Sequence, residues 1–387
     1  MKFILSPEQE MLRKMVRELA EKEFRPRAAR WDREEAYPWE NVEPLVQAGL
    51  MGMTIPPEYG GGGKGVLETI IAAEEIARVC GVTARLVVEG NLGTVGVLVH
   101  YGSEAQKRKY LPWICQGEKP AIAITEPEAG SAATDLQTTA ELDGDHYVLN
   151  GTKCFITGAG VSRLYLVFAR FNRVPGARGI GALLVEKGTP GFSFGRRTPM
   201  MGLRGIPEGE LIFTGCRVPR ENLIVEPGEG FKRLMQAYNG QRCGAAAVAL
   251  GIAQGAFDLA VRYTQERRQF GRELADFQGI QWMLADMAIA LEAGRLLLYR
   301  AAAAAGGTLL PPALETAMAK TYIGEMAVEV TNTALQIHGG YGYSRDLPLE
   351  RMVRDARMFT IGGGTAQMLR TLIASQVLGR KISQRKE

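Results

Sequence analysis

Histidine and cysteine are scarce in this chain, and neither charge sign gathers into a block. The three histidines, His100, His146 and His338, have none of the spacings that ligate a metal, which argues against a zinc enzyme. The five cysteines, Cys80, Cys115, Cys154, Cys216 and Cys243, are odd in number, widely spaced and without a CxxC pair. They read as reduced thiols of a cytoplasmic protein with no metal site. With 46 basic and 42 acidic residues interleaved, a net charge of +4 gives no argument for nucleic acid. No apolar run approaches the roughly 20 residues needed to cross a bilayer, so no membrane span is expected. The start, MKFILSPEQEML, runs directly into an amphipathic helix with Ser6 as N-cap and Pro7 in its first turn, so no signal peptide is expected either.

What the chain has is length and an ordinary apolar content. Its 387 residues, 46% hydrophobic and 23% charged, suffice for two or three units around a large core. Residues 1–120 repeat apolar positions at three- and four-residue intervals, as at Met11, Met15, Val16 and Leu19, which predicts a helical unit broken by a surface loop at 56–63. Residues 121–229 change to short β-rich runs at 147–149, 164–168, 182–185 and 210–213, with turns expected at Asp143-Gly144 and Asn150-Gly151. Residues 230–387 return to long helical runs at 245–263, 278–305 and 313–337, lengths that suit a four-helix bundle. The order is helical, β, helical, an α+β chain with a small barrel-like centre.

The most unusual stretch is 351–369, RMVRDARMFTIGGGTAQML. A helical pattern stops at Gly362, Gly363 and Gly364 and resumes after Thr365. Glycines let backbone approach a flat ligand closely, and Thr365 and Gln367 stand where they can donate to one. Taken alone, the stretch fits a helix-to-helix turn equally well.

Four further stretches stand ahead of it in order: AITEPEAGSAATDL, YVLNGTKCFITGAG, QERRQFGRELADFQGIQ and LQIHGGYGYSRDLPLERMVRDAR. Together they resemble the acyl-CoA dehydrogenase family of flavoproteins, from about Leu5 to about Leu378. The resemblance implies the family's fold, a bound FAD and an acyl-CoA substrate. It places Ile124, Thr125, Phe155 and Thr157 at the flavin's pyrimidine and N5 side, and Ser131 against the flavin diphosphate or the CoA chain. Arg267, Phe270, Gln278, Gln336, Gly339 and Gly340 match positions that hold the adenosine diphosphate, several of them reaching from a neighbouring subunit. A homotetramer is therefore implied.

The family's usual catalytic sequence is IYEGT, whose Glu removes the α-proton. The matching residues here read Ile361-Gly362-Gly363-Gly364-Thr365, so Gly363 occupies the base position. Some members carry the Glu before the Arg of a facing helix. That position is Gln241, ahead of Arg242, and an amide cannot accept the proton near neutral pH. A second departure is Arg85, one helical turn before Glu89, where the family lines its acyl pocket with neutral residues. A buried guanidinium needs an anion. Glu89 can supply it; otherwise it belongs to the substrate. Arg85, Gln241 and Gly363 together resemble the 3-sulfinopropionyl-CoA desulfinase branch, which implies Arg85 on a sulfinate and Asn239 and Arg242 on CoA. Two alternatives remain open: a true dehydrogenase with another base, served by an electron-transfer flavoprotein, and a non-catalytic flavin scaffold.

Overall fold

Ser6 opens the first helix, Pro7–Leu19, as its side chain predicts. Its hydroxyl accepts from the Gln9 amide at 3.2 Å while the Gln9 side chain takes the Ser6 amide at 2.9 Å, a reciprocal cap with Pro7 just inside the helix. A computed structural model describes residues 5–382. Residues 1–4 and 383–387 of the expected outer units lie outside the described residues.

The N-terminal helices wrap one of their own number. All of Gly81–Glu89 is buried, charged Arg85 and Glu89 included. It packs against Val66–Ala77 on one side and the long helix Gly230–Glu266 on the other. A helix apolar nearly all round is stable only in such a position, where each fully buried Val or Leu contributes about 1.5–3 kcal/mol.

The central unit is an eight-stranded sheet. Its strands are β1 (Ala121–Ala123), β2 (Thr139–Asp143), β3 (His146–Thr157), β4 (Leu164–Phe171), β5 (Ile180–Glu186), β6 (Phe192–Thr198), β7 (Glu208–Pro219) and β8 (Leu223–Val225). The hydrogen-bonded order runs β6-β7-β3-β2-β4-β5-β8, with β1 parallel to β4. The hydrogen-bonded path has β6 and β8 at its ends. Strand β4 is buried along its whole length. Its alternate residues feed two cores: Leu164, Leu166 and Phe168 face the main one, Tyr165, Val167 and Ala169 a smaller one within the β unit.

Asp143-Gly144 makes the expected hairpin, since Asp143 pairs with His146. Asn150-Gly151 does not turn. It lies inside the 12-residue β3 as a bulge, where the register against β7 shifts between Leu149 and Gly151. Gly151 has φ +148°, and a Cβ there would come within 2.5 Å of Thr138 Oγ1, so the strand crosses Thr138 only because the residue is glycine.

The C-terminal unit is built from the helices Gly230–Glu266, Gln278–Ala303, Ala313–His338 and Ala366–Val377, with Leu349–Arg357 ahead of the last. The first of them starts well before residue 245, where the sequence pattern placed it. Two stretches, Gly81–Tyr101 and Gly230–Glu266, are long and apolar enough to cross a membrane, contrary to the expectation from apolar runs. Their most apolar windows are 94% and 67% inside the fold, which explains their composition as core helices. All five cysteines are free.

Candidate active site

The glycine stretch is a turn pinned by two cations. Helix Leu349–Arg357 passes through the tighter turn Met358–Thr360 into the glycines, and Thr365 caps the next helix by accepting from the Met368 amide at 3.2 Å. Arg242 Nε donates to the Gly363 carbonyl at 2.9 Å, and Lys320 Nζ to the Gly364 carbonyl at 2.6 Å. Gly363 and Gly364 have φ +77° and +98°, a region that favours glycine. Space is not what requires it at 363, because a Cβ there would meet only Lys320 Cε at 3.8 Å and Arg242 Cγ at 4.0 Å. Burial and the neighbouring Arg242 push the Lys320 pKa down to about 8. Beside the loop opens a cleft of about 330 Å³ lined by Thr360, Ile361, Thr365 and Gln367, with Glu325 and Arg357 across it.

Asn239 is 4% exposed, with its amide nitrogen on the Pro311 carbonyl at 3.2 Å and its oxygen on Arg242 Nη1 at 2.8 Å. In this arrangement Asn239 steadies Arg242, the other residue expected on CoA. Gln241 points elsewhere on the same helix, toward Gly93, and its Oε1 is buried without a partner. A buried acceptor left unpaired costs about 1–3 kcal/mol.

Arg85 forms the ion pair with Glu89 that the sequence left as one option. Nη2 lies 2.5 Å and Nε 3.0 Å from Glu89 Oε1, in a helix shielded from water. Glu89 is shared, however: Lys119 Nζ stands 2.5 Å from its other oxygen. Arg85 Nη2 also donates to Thr157 Oγ1 at 3.2 Å, and Thr157 Oγ1 donates to Glu208 Oε1 at 2.7 Å. Burial first, then Arg85, pushes the Lys119 pKa down to about 7.

Ile124, Thr125, Phe155 and Thr157 come together at one end of the sheet. The Thr125 carbonyl accepts from the Cys154 amide at 2.9 Å, and the Ile124 carbonyl from Lys153 Nζ at 3.0 Å. Phe155 has φ +53° and is 58% exposed, a strained backbone presenting an apolar ring to the outside. Lys153 and Glu126 form a buried ion pair at 2.7 Å beneath this edge. Ser131 lies in the exposed loop beyond it.

Arg267, Phe270, Gln278, Gln336, Gly339 and Gly340 form a second group in the helical unit, all exposed. The Arg267 guanidinium stands 5.8 Å from the ring centre of Tyr341, which places it beside Gly339 and Gly340. Phe270 tips the hairpin of β9 (Arg268–Gln269) and β10 (Arg272–Glu273) at φ +54° and 92% exposure.

Sequence reasoning missed Glu208, Lys119, Lys320 and the Lys153–Glu126 pair. A lone lysine in an apolar helix was a readable sign for Lys320. Glu208 and Lys119 carry no local signal, since only strand register and chain crossing bring them to Thr157.

The acyl-CoA dehydrogenase domain models match the whole length of this architecture: N-terminal over residues 6–118, middle over 121–216 and C-terminal over 228–378. The chain belongs to the acyl-CoA dehydrogenase family and is a flavoenzyme of it. The 3-sulfinopropanoyl-CoA desulfinase of Paraburkholderia xenovorans is 53% identical over 388 residues, covering 99% of each chain. The short-chain-specific acyl-CoA dehydrogenase of Clostridium acetobutylicum is 45% identical over 380 residues, covering 97% of this chain and 100% of the relative. The solved structure of butyryl-CoA dehydrogenase from Megasphaera elsdenii matches with a TM-score of 0.94 at 38% identity, over 98% of this chain and 100% of that one. The family's cofactor is FAD. The chain's residues fit it at the sheet end, where Phe155 presents an exposed ring on a strained backbone close to Thr157, an apolar face that a planar group can cover.

Proposed function

We propose that this chain is a cytoplasmic, homotetrameric FAD enzyme that cleaves 3-sulfinopropionyl-CoA to propionyl-CoA and sulfite. The observation that carries the reading is Arg85: a buried guanidinium whose counter-ion Glu89 is already shared with Lys119. A cation so placed has attraction left for an acidic acyl tail. The names of the relatives support the same substrate.

The reaction replaces a C–S bond by C–H. The sulfinate carbon takes a proton, and the sulfur leaves with the oxygen of water as sulfite. No α-proton has to be removed, which agrees with Gly363 and Gln241 at the two positions where the family keeps its base. Arg85 binds and orients the sulfinate, and Lys119 shares Glu89 so that Arg85 can turn to it. Arg242 holds the glycine turn against the thioester end. Ile124, Thr125, Phe155 and Thr157 hold the flavin ring; Arg267, Phe270, Gln278, Gln336, Gly339 and Gly340 hold its adenosine diphosphate, partly across a subunit contact. FAD, when bound, supplies a polarising surface over the thioester without net redox change.

The identity to the Clostridium acetobutylicum enzyme supports a second reading, α,β-dehydrogenation of a short acyl-CoA with electron-transfer flavoprotein as acceptor. One assay separates the two: purified enzyme is given 3-sulfinopropionyl-CoA, succinyl-CoA and butyryl-CoA, and sulfite release is scored beside reduction of an electron acceptor. Sulfite without acceptor reduction is the expected result. Acceptor reduction at ordinary enzymic rates, with no sulfite, would establish the dehydrogenase instead.

A further inference from the structure

Charged groups of both signs meet around the Thr157 hydroxyl. It accepts from Arg85 Nη2 at 3.2 Å and donates to Glu208 Oε1 at 2.7 Å, so one hydroxyl joins the guanidinium to a second carboxyl. Lys119 Nζ reaches the carbonyl of the same residue at 3.3 Å. Glu208 opens β7, opposite Thr157 on β3 and Thr198 on β6.

The charge of the cluster turns on Glu208. Arg85 and Lys119 against Glu89 leave one positive charge in excess; an ionised Glu208 cancels it. For groups buried as these are, the first state attracts a monoanion and the second does not. Tyr238, on helix Gly230–Glu266, also faces Glu208, and burial keeps its hydroxyl neutral by raising its pKa. On β6 and β7, Arg196, Arg197 and Glu210 border Glu208 along a shallow cleft. Arg197 is committed to the carbonyls of Glu35 and Arg204, and Glu210 to the Arg196 amide. Burial raises the Glu208 pKa against the pull of Arg85, Thr157 and Lys119.

Resting on the reading of an anionic acyl substrate, we propose that Glu208 is the specificity-determining carboxyl of this pocket. It takes up a proton from solvent when an acidic acyl-CoA binds, and so frees the positive charge of Arg85 and Lys119 for the acyl anion. Rising pH ionises Glu208 and discharges Lys119, and both weaken acidic ligands. Above the titration of Glu208, each pH unit costs such a ligand up to about tenfold in Kd through this one group.

The test is calorimetric titration of the FAD-loaded enzyme with succinyl-CoA and butyryl-CoA from pH 6 to 9, for wild type, Glu208→Gln and Glu208→Asp. In wild type the Kd of succinyl-CoA should rise with pH while that of butyryl-CoA holds. Glu208→Gln should bind succinyl-CoA more tightly than wild type at the high-pH end, with a shallower slope left by Lys119 and no change for butyryl-CoA. Glu208→Asp should keep the wild-type slope. A Gln variant that weakens both ligands equally, or keeps the wild-type slope, overturns the proposal. Should Glu208→Gln fail to fold, wild type alone decides: proton uptake must be larger with succinyl-CoA than with butyryl-CoA, and equal uptake refutes the idea. If wild type at pH 6 shows no preference for succinyl-CoA and Arg85→Ala changes neither ligand, the anionic-substrate reading itself falls. If the preference stands while the Gln slope is unaltered, only Glu208 is dismissed.

Discussion

Arg242 Nε donates to the Gly363 carbonyl at 2.9 Å, tying the long helix of the C-terminal unit to the glycine turn at 362–364. With Lys320 on the next carbonyl, the turn is held by main-chain oxygens between two cations. That arrangement makes the turn independent of any side chain at 363. It also means that a carboxylate placed there would sit in a positive field.

Gly363→Glu is expected to fold, at a cost of about 1–3 kcal/mol for a non-glycine residue at φ +77°. A carboxylate acting as base is worth about 10²–10⁴ in rate, but Arg242 and Lys320 on either side depress the new carboxyl's pKa and with it its strength as a base. Acceptor reduction with butyryl-CoA should therefore rise over wild type by less than about 10². Flavin-loaded variants compared in one acceptor assay decide it, and an unchanged rate would show that the carboxylate does not reach Cα.

Arg85 and Glu89 should respond unequally to removal. Arg85→Ala leaves Glu89 still paired with Lys119 at 2.5 Å, so FAD content and thermal midpoint should stay near wild type. Sulfite release should nevertheless fall by a factor corresponding to about 2–5 kcal/mol, the cost of an unpaired acyl anion in the pocket. Arg85→Lys should recover part of it, lacking the planar fork. Glu89→Gln instead leaves two buried cations without their shared carboxylate and should destabilise by about 3–5 kcal/mol. Urea unfolding of both variants checks the order. A larger loss of stability in Arg85→Ala than in Glu89→Gln would make Arg85 a structural residue.

The helical, β, helical order was legible because the apolar period changes from 3.6 to 2 and back. Arg85 stood out by resemblance instead, as a charge on a helix that the family keeps neutral, and its pairing with Glu89 was one of the two options left open. Glu208 was not legible, because a charged residue in a strand reads as its solvent face, and only the register of β7 against β3 sets it opposite Thr157. Asn150-Gly151 was misread because the same dipeptide serves a tight turn or a bulge, and the close approach of Thr138 that decides between them is a tertiary contact. The shared Glu89 was likewise beyond reach, since Lys119 arrives from 30 residues further along the chain.

Helix Gln278–Ala303 carries Trp282, Ile289 and Leu296 at seven-residue spacing, exposed by 62%, 68% and 46%. Such a stripe on one face is the pattern of a helix packed against another chain. Trp282→Glu together with Ile289→Glu should lower the particle mass in light scattering toward the 42.2 kDa of one chain. FAD content should fall with it, because the adenosine diphosphate group of residues is proposed to reach across that contact. A wild-type particle already at the mass of one chain would remove the homotetramer from the proposal.

Lys153 supports from below the edge proposed to hold the flavin. Its ammonium is fully buried, 2.7 Å from Glu126 Oε1 and 3.0 Å from the Ile124 carbonyl, and burial pushes its pKa down to about 8. Glu126 in turn accepts from the backbone amides of Gln137 and Thr138, so the pair fastens the strand-to-loop segment at 124–126 to the start of β2. Lys153→Met removes the cation and leaves the carboxylate buried, which should cost about 3–5 kcal/mol. It also frees the Ile124 carbonyl, so FAD should be lost on gel filtration under conditions where wild type keeps it. The double variant Lys153→Met with Glu126→Gln removes both charges and should recover part of the stability, since a buried pair replaced by neutral groups is often close to neutral in energy. If the lysine acts only through charge balance, the double variant regains FAD as well. If it acts by holding the Ile124 carbonyl, stability returns and the flavin does not, which is the outcome expected here. Urea midpoints and the flavin-to-protein absorbance ratio of the two variants separate these cases.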